Sequence, residues 1–134
     1  MNKKDLKTEY NNFLSRHKIK ACDFVLGAGG ACVMLGVREI TNDMDMDLEI
    51  FHFNSLKNTK NFNISYFRGT PILDYNNFID IHPKEKGEVI EIEGVVCWSA
   101  KRILNFKLSL NRLKDQEDIK KLSALIKDNK YETS

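Results

Sequence analysis

Three aspartates at every second position, Asp43, Asp45 and Asp47, are the residues of this chain whose spacing points most clearly to chemistry. On a β-strand, residues i, i+2 and i+4 share one face. A strand here would stack three carboxylates on one side and turn Met44, Met46, Leu48 and Ile50 to the other, a run suited to a core. Like charges this close raise one another's pKa or recruit a cation. A hard divalent ion such as Mg²⁺, held by carboxylates and substrate phosphates, is the natural partner. Such a site needs a further carboxylate from another strand. Asp80 supplies it, because Ile79 and Ile81 beside it point to the opposite face. Asp74 is the runner-up, in a looser segment.

Other readings of the same residues fare less well. An EF-hand loop also begins D-x-D-x-D, but its sixth position needs glycine and holds Leu48, and its twelfth needs glutamate and holds Asn54. A solvated face on an edge strand is the plain alternative. Gly27-Ala28-Gly29 could open a dinucleotide fingerprint, with Asp47 at about the expected distance of ~20 residues, but Cys32 stands where the third glycine belongs. A glycine turn leading into a helix can still cradle a phosphate through free N–H groups. Lys101, Arg102, Lys107, Arg112 and Lys114 could form a phosphate-facing stripe, with Lys107 and Arg112 best placed; singly, each reads as a solvated helix residue. His17, His52 and His82 show no ligand spacing and read as surface or packing residues, and Trp98 as a core anchor.

The chain has 134 residues, 42% of them hydrophobic and 30% charged, consistent with one domain around one core. A net charge of +2, from 21 basic and 19 acidic residues, does not announce nucleic-acid binding. No apolar run reaches the length of a membrane span, and the polar start does not read as a signal peptide. Cys22, Cys32 and Cys97 lack metal spacing and sit among apolar neighbours. They are expected to be buried reduced thiols, which fits a cytoplasmic location.

The elements that must position the acids follow from periodicity and punctuation. Residues from about Asn2 to His17 read as an amphipathic helix, Cys22 to Leu26 as a strand, Gly27 to Gly30 as a turn and Ala31 to Leu35 as a short helix ended by Gly36. Asp43 to Phe51 is the acidic strand, and Asn54 to Asn61 a short helix or loop. Phe62 to Phe67 is a strand, Arg68 to Pro71 a turn, and Asn77 to His82 a strand ended by Pro83. Lys84 to Gly87 reads as a hairpin turn into a strand from Glu88 to Ile92. Ser99 is an N-cap for a helix with the stripe Ile103, Phe106, Leu110 and Leu113. A second stripe, Ile119 to Ile126, follows a polar break, and Asp128 to Ser134 is expected to fray. The result is an α/β (α+β) domain, a mixed twisted sheet over about residues 20–97 flanked by helices, with C-terminal helices over about 99–127.

The order of these features resembles the polymerase-β-type nucleotidyltransferases. Gly29-Gly30 after a strand is followed by Arg38-Glu39-Ile40-Thr41-Asn42-Asp43-Met44-Asp45, an Arg-x-x-Thr-x-Asp-x-Asp stretch characteristic of small bacterial and phage members. These members are related to minimal nucleotidyltransferases and to toxin-like transferases of abortive-infection systems. The C-terminal Lys107 and the run Arg112-Leu113-Lys114-Asp115-Gln116-Glu117-Asp118-Ile119 are similar to the same group, so the resemblance spans roughly Phe24 to Ile126. It implies that Asp43, Asp45 and Asp80 are the catalytic carboxylates and bind two Mg²⁺ ions, or Mn²⁺ in their place. It implies that Gly29, Gly30, Arg38, Thr41 and Lys107 serve the nucleotide. The activity implied is transfer of a nucleoside monophosphate from an NTP to an RNA or tRNA end, a protein hydroxyl or a small molecule, in a toxin or phage-defence setting. A partner protein or a homodimer is implied as well, with the Ile119 to Ile126 stripe as its interface. The rival class is a non-catalytic nucleotide- or partner-binding module on a degenerate transferase fold.

Overall fold

Helix α1, Lys3–His17, forms where the sequence supplies both a cap and a periodic apolar face. The Asn2 side chain accepts from the Asp5 N–H and the Asp5 carboxylate accepts from the Asn2 N–H, a closed capping box. Leu6, Tyr10 and Phe13 are buried on one side, and Phe13 stacks on Phe24 with ring centroids 4.3 Å apart. The Tyr10 hydroxyl lies 2.8 Å from the Phe24 carbonyl and accepts from the Val96 N–H, so α1 is bonded to two strands. Burial pushes that hydroxyl's pKa up to about 12. The computed structural model describes residues 1–128.

The remaining elements are strand β1 (Phe24–Leu26), α2 (Ala28–Met34), β2 (Met44–Leu48), α3 (Ile50–Lys57), β3 (Asn63–Phe67), β4 (Thr70–Tyr75), β5 (Ile79–Pro83), β6 (Val89–Ile92), β7 (Val95–Trp98), α4 (Ala100–Leu110) and α5 (Gln116–Lys127). Together they make a mixed α/β architecture of five helices and one open seven-stranded sheet among the described residues. Strand order is β3-β4-β5-β2-β1-β7-β6; β2 runs parallel to β5 and β1 parallel to β7, and the other pairs are antiparallel.

One sheet face carries Phe24, Leu26, Met44, Met46, Leu48, Leu73, Ile79, Ile81 and Cys97 into a single core, together with Leu6, Tyr10, Cys32, Phe53, Ile103 and Leu122 from the helices. Alternation then forces Asp45, Asp47, Asp74, Asp80 and His82 onto the other face.

Several expectations are corrected. The acidic strand stops at Leu48, because the Glu49 carboxylate accepts from the N–H groups of Phe51 and His52 and starts α3; Ile50 is therefore exposed. Of the residues expected in a turn, Gly27 is the N-cap of α2, and Gly29 and Gly30 lie inside that helix, which begins at Ala28. Thr70 and Pro71 belong to a strand, and the turn before them is the two-residue Arg68-Gly69 hairpin with both φ positive. Cys22 is exposed, and only Cys32 and Cys97 are buried. On α4 the buried residues are Ala100, Ile103 and Lys107, while Phe106, Leu110 and Leu113 of the expected stripe are exposed. The Ile119 to Ile126 stripe is turned inward, with Leu122 fully buried and Leu125 and Ile126 packed on the core. Residues 129–134 of the expected frayed tail lie outside the described residues.

The largest correction concerns residues 84–88. They are not a hairpin turn, because β5 and β6 are separated in the sheet by β2, β1 and β7. Four strand spacings of ~4.8 Å leave ~19 Å to cross, which the steps from Pro83 to Val89 span only when almost fully extended. The segment is an extended strap. The Lys84 N–H donates to the Leu48 carbonyl at 2.7 Å, Lys84 Nζ donates to the Cys22 carbonyl at 3.0 Å, and the Ser99 N–H donates to the Glu88 carbonyl at 3.2 Å. Gly87 packs so closely on the Arg102 guanidinium that a Cβ there would overlap it. The strap crosses the acidic face, which explains why Val25, paired with Asp47 on that face, is only 1% exposed.

Candidate functional site

Strand register brings the acids into line. Asp45 on β2 pairs with Asp80 on β5, and Asp80 pairs with Asp74 on β4, so three carboxylates stand side by side across adjacent strands. Asp43 precedes β2 and is exposed, as is Asp45. The next row pairs Asp47 with His82, whose Nε2 lies 3.7 Å from Asp45 Oδ1. Burial raises the Asp80 pKa first, and the neighbouring charges of Asp45, Asp74 and Asp43 raise it further against the opposing effect of His82. The hydrogen bond with Asp45 raises the His82 pKa, and the charges of Asp45, Asp47 and Asp80 add to it while burial opposes. Asp74 Oδ1 is buried without a hydrogen-bond partner.

This donor set suits a hard cation: oxygen ligands, surplus negative charge and one unsatisfied carboxylate oxygen. Among the described residues no three His, Cys, Asp or Glu side chains are closed around one point in the manner of a metal cage; the carboxylates are aligned instead.

The start of α2 is fastened to this row. The Gly27 N–H donates to the Asp45 carbonyl at 2.7 Å, and a Cβ on Gly27 would stand 3.0 Å from that oxygen. A Cβ on Gly30 would come within 2.5 Å of Leu26 Cδ1, so close helix–strand packing by itself requires glycine there. Gly29 faces the loop before β2, where a Cβ would lie 3.1 Å from Thr41 Oγ1 and 3.7 Å from Arg38 Nη1. Thr41 is buried and its hydroxyl donates to the Asp43 carbonyl at 3.1 Å, so it holds the backbone of the first aspartate.

Lys107 lies elsewhere, in a paired cluster. It is 3% exposed, with Nζ 3.0 Å from Asp115 Oδ1 and 3.4 Å from Asp118 Oδ2. Arg112 Nε donates to Asp115 Oδ2 at 2.7 Å, and Arg38 Nη2 donates to Asp118. Burial pushes Asp115 up, but the hydrogen bonds and charges of Arg112 and Lys107 outweigh it and hold its carboxyl below the usual range. The network joins α4 and α5 to the loop carrying Arg38 and Thr41. Of the residues expected to serve the nucleotide, Gly29, Arg38 and Thr41 are thus gathered beside Asp43, while Lys107 reaches them through Asp118.

Asp47 is separated from the other acids by its environment. Trp98 Nε1 donates to its Oδ2 at 2.8 Å, and Arg102 Nη2 stands 3.6 Å away while its guanidinium lies 4.0 Å above the Trp98 ring. Burial under the strap raises the Asp47 pKa, against the Trp98 hydrogen bond and the Arg102 charge. Trp98 is therefore a polar anchor as well as an apolar one.

His82 reads from the sequence as a surface or packing residue, although its i+2 spacing from Asp80 places both on one strand face. Asp74 reads as the second choice because the Thr70-Pro71 turn signal hides β4. No helix among the described residues is long and apolar enough to cross a membrane. No family model matches the chain, and neither the curated proteins nor the solved structures contain a significant match to it.

Proposed function

We propose that this chain is a Mg²⁺-dependent nucleotidyltransferase on a nucleotidyltransferase-like fold, moving a nucleoside monophosphate from an NTP to a hydroxyl acceptor. The observation that carries the reading is the line of carboxylates Asp45, Asp80 and Asp74, which among the described residues has no cationic partner except His82 and stands beside a glycine-opened helix. Together with Asp43 it offers carboxylate oxygens of the kind that divalent ions take alongside substrate phosphates. When bound, the ions neutralise charge on the attacking and leaving oxygens.

Each residue then has a separate task. Asp43, Asp45 and Asp80 hold the ions. Asp80, in register with Asp45 on the neighbouring strand, is the carboxylate that receives the acceptor's proton. The acceptor oxygen bonds to the α-phosphorus, the bond from that phosphorus to the bridging oxygen breaks, and pyrophosphate leaves. Arg38, about a third exposed above Gly29, meets the triphosphate. Thr41 fixes the Asp43 backbone, and Lys107 is a positioning residue acting through Asp118 and Arg38. The acceptor classes are an RNA or tRNA end, a protein hydroxyl or a small molecule; a protein partner, a second copy of the chain and a toxin or phage-defence setting belong to the same proposal.

The test is transfer of label from each of the four α-labelled NTPs, with Mg²⁺, to total tRNA and to cell lysate. Wild type should label an acceptor, and Asp45→Asn should not. Metal-dependent NTP binding with no transfer to any acceptor would move the chain to the binding-module class. Undiminished transfer by Asp45→Asn would remove the metal assignment.

A further inference from the structure

Trp98 and Phe106 are packed together on the side of the sheet that carries the acids, and neither is used by the proposal above. Trp98 Nε1 is bonded to Asp47, the residue that follows Asp45 on the same face of β2. Only β1 separates β7 from β2, so the Trp98 backbone lies two strand spacings, or ~10 Å, from the acidic strand. The Phe106 and Trp98 rings meet in a T-shaped pair, with centroids 5.4 Å apart at 85°. Arg102 covers one face of Trp98, and the strap at Gly87 holds Arg102 in place.

This arrangement fixes Trp98 at its indole N–H, at one face and at its contact with Phe106, while Phe106 itself is 41% exposed. Phe106, one position before buried Lys107, stands toward solvent against Trp98. A phenyl face held this way is a stacking surface, and stacking accepts any base because every base has a π-face.

We propose that Phe106, braced by Trp98 and Arg102, is the platform on which the nucleobase of the NTP stacks while its phosphates lie at Asp43, Asp45 and Asp80. The inference rests on the nucleotidyltransferase reading and adds the base subsite to it. Ribose and base extend from the phosphates past Gly27, at the end of β1 beside Asp45, toward α4, and Phe106 has no side-chain hydrogen-bonding group to offer the base edge, so it holds the ring without selecting its identity.

The experiment is calorimetric titration of wild type, Phe106→Ala and Phe106→Tyr with Mg·ATP and with Mg·tripolyphosphate, which has the phosphates and no base. Trp98 is the single tryptophan of the chain, so its fluorescence reports on the ledge itself. Phe106→Ala should bind Mg·ATP about tenfold more weakly and Mg·tripolyphosphate unchanged, Phe106→Tyr should bind both as wild type does, and only Mg·ATP should quench Trp98. Wild-type affinity of Phe106→Ala for Mg·ATP, or an equal loss for both ligands, would overturn the platform while the nucleotide reading stands. Failure of wild type to bind either ligand would overturn both.

Discussion

Two groups of carboxylates in this small chain have opposite surroundings. At the α4–α5 junction Asp115 and Asp118 face Lys107, Arg112 and Arg38, three cations for two anions, at hydrogen-bonding distances. On the sheet Asp45, Asp80 and Asp74 face one another, with His82 as the one neighbouring base among the described residues. The junction is electrostatically complete and holds two helices to a loop. The sheet row is incomplete, and like charges in register work against the folded state. Groups that are costly to the fold and have no internal partner are candidates for an external one. Asp47 makes the same point within a single strand: two residues beyond Asp45 it is paired with Trp98 and Arg102 under the strap, and so it belongs with the structural acids.

The comparison breaks most visibly at Lys107. Lys107→Met leaves Asp115 and Asp118 short of a buried cation, and removing one partner of a buried pair costs about 3 kcal/mol or more. Urea unfolding at pH 7 should show that loss. The penalty should shrink as acid protonates Asp115. Its folded pKa lies below its ordinary value, so its contribution is full above that value and is lost as pH falls through the lowered one.

A smaller effect is expected at Gly30, where a methyl group must displace Leu26. Gly30→Ala should cost about 1–3 kcal/mol, measured by the same unfolding curves. A neutral result would show that β1 and α2 separate easily and would weaken the rigid setting given to Asp45.

The sheet row should behave in the reverse sense. Asp80 has a raised pKa, so its folded state binds the proton more tightly and stability falls as pH rises from the ordinary value of 3.8 through the raised one. Asp80→Asn should abolish label transfer yet be at least as stable as wild type at pH 7. That relative gain should disappear toward pH 4. A variant less stable at every pH would place Asp80 with the structural acids.

What the sequence makes legible follows from how local each signal is. The α1 helix is readable because the Asn2–Asp5 box and the Leu6, Tyr10, Phe13 spacing lie within the segment itself. The alternation around Asp45 and Asp80 is equally local, and it places both on the acid face before any pairing is known. The strap is not readable. Pro83-Lys84-Glu85-Lys86-Gly87 has hairpin composition, and only the strand order shows that β6 lies at the far edge. Strand β4 is hidden by Thr70 and Pro71, whose turn signal belongs to Arg68-Gly69 alone. Lys107 reads as a solvated cation because burial of its ammonium depends on Asp115 and Asp118, eight and eleven positions later, folding back across it. The α4 stripe is misread for the same reason, since the helix buries Lys107 and leaves Phe106 outside.

In the function proposed above, the sheet carboxylates serve a bound cation and nucleotide and not the fold. Its most direct test is the thermal midpoint of wild type and Asp45→Asn, each with and without Mg·ATP. Without ligand, Asp45→Asn should melt at or above the wild-type temperature, and with Mg·ATP only wild type should gain stability. A lower midpoint for Asp45→Asn without ligand, with an undiminished gain on adding Mg·ATP, would contradict the account.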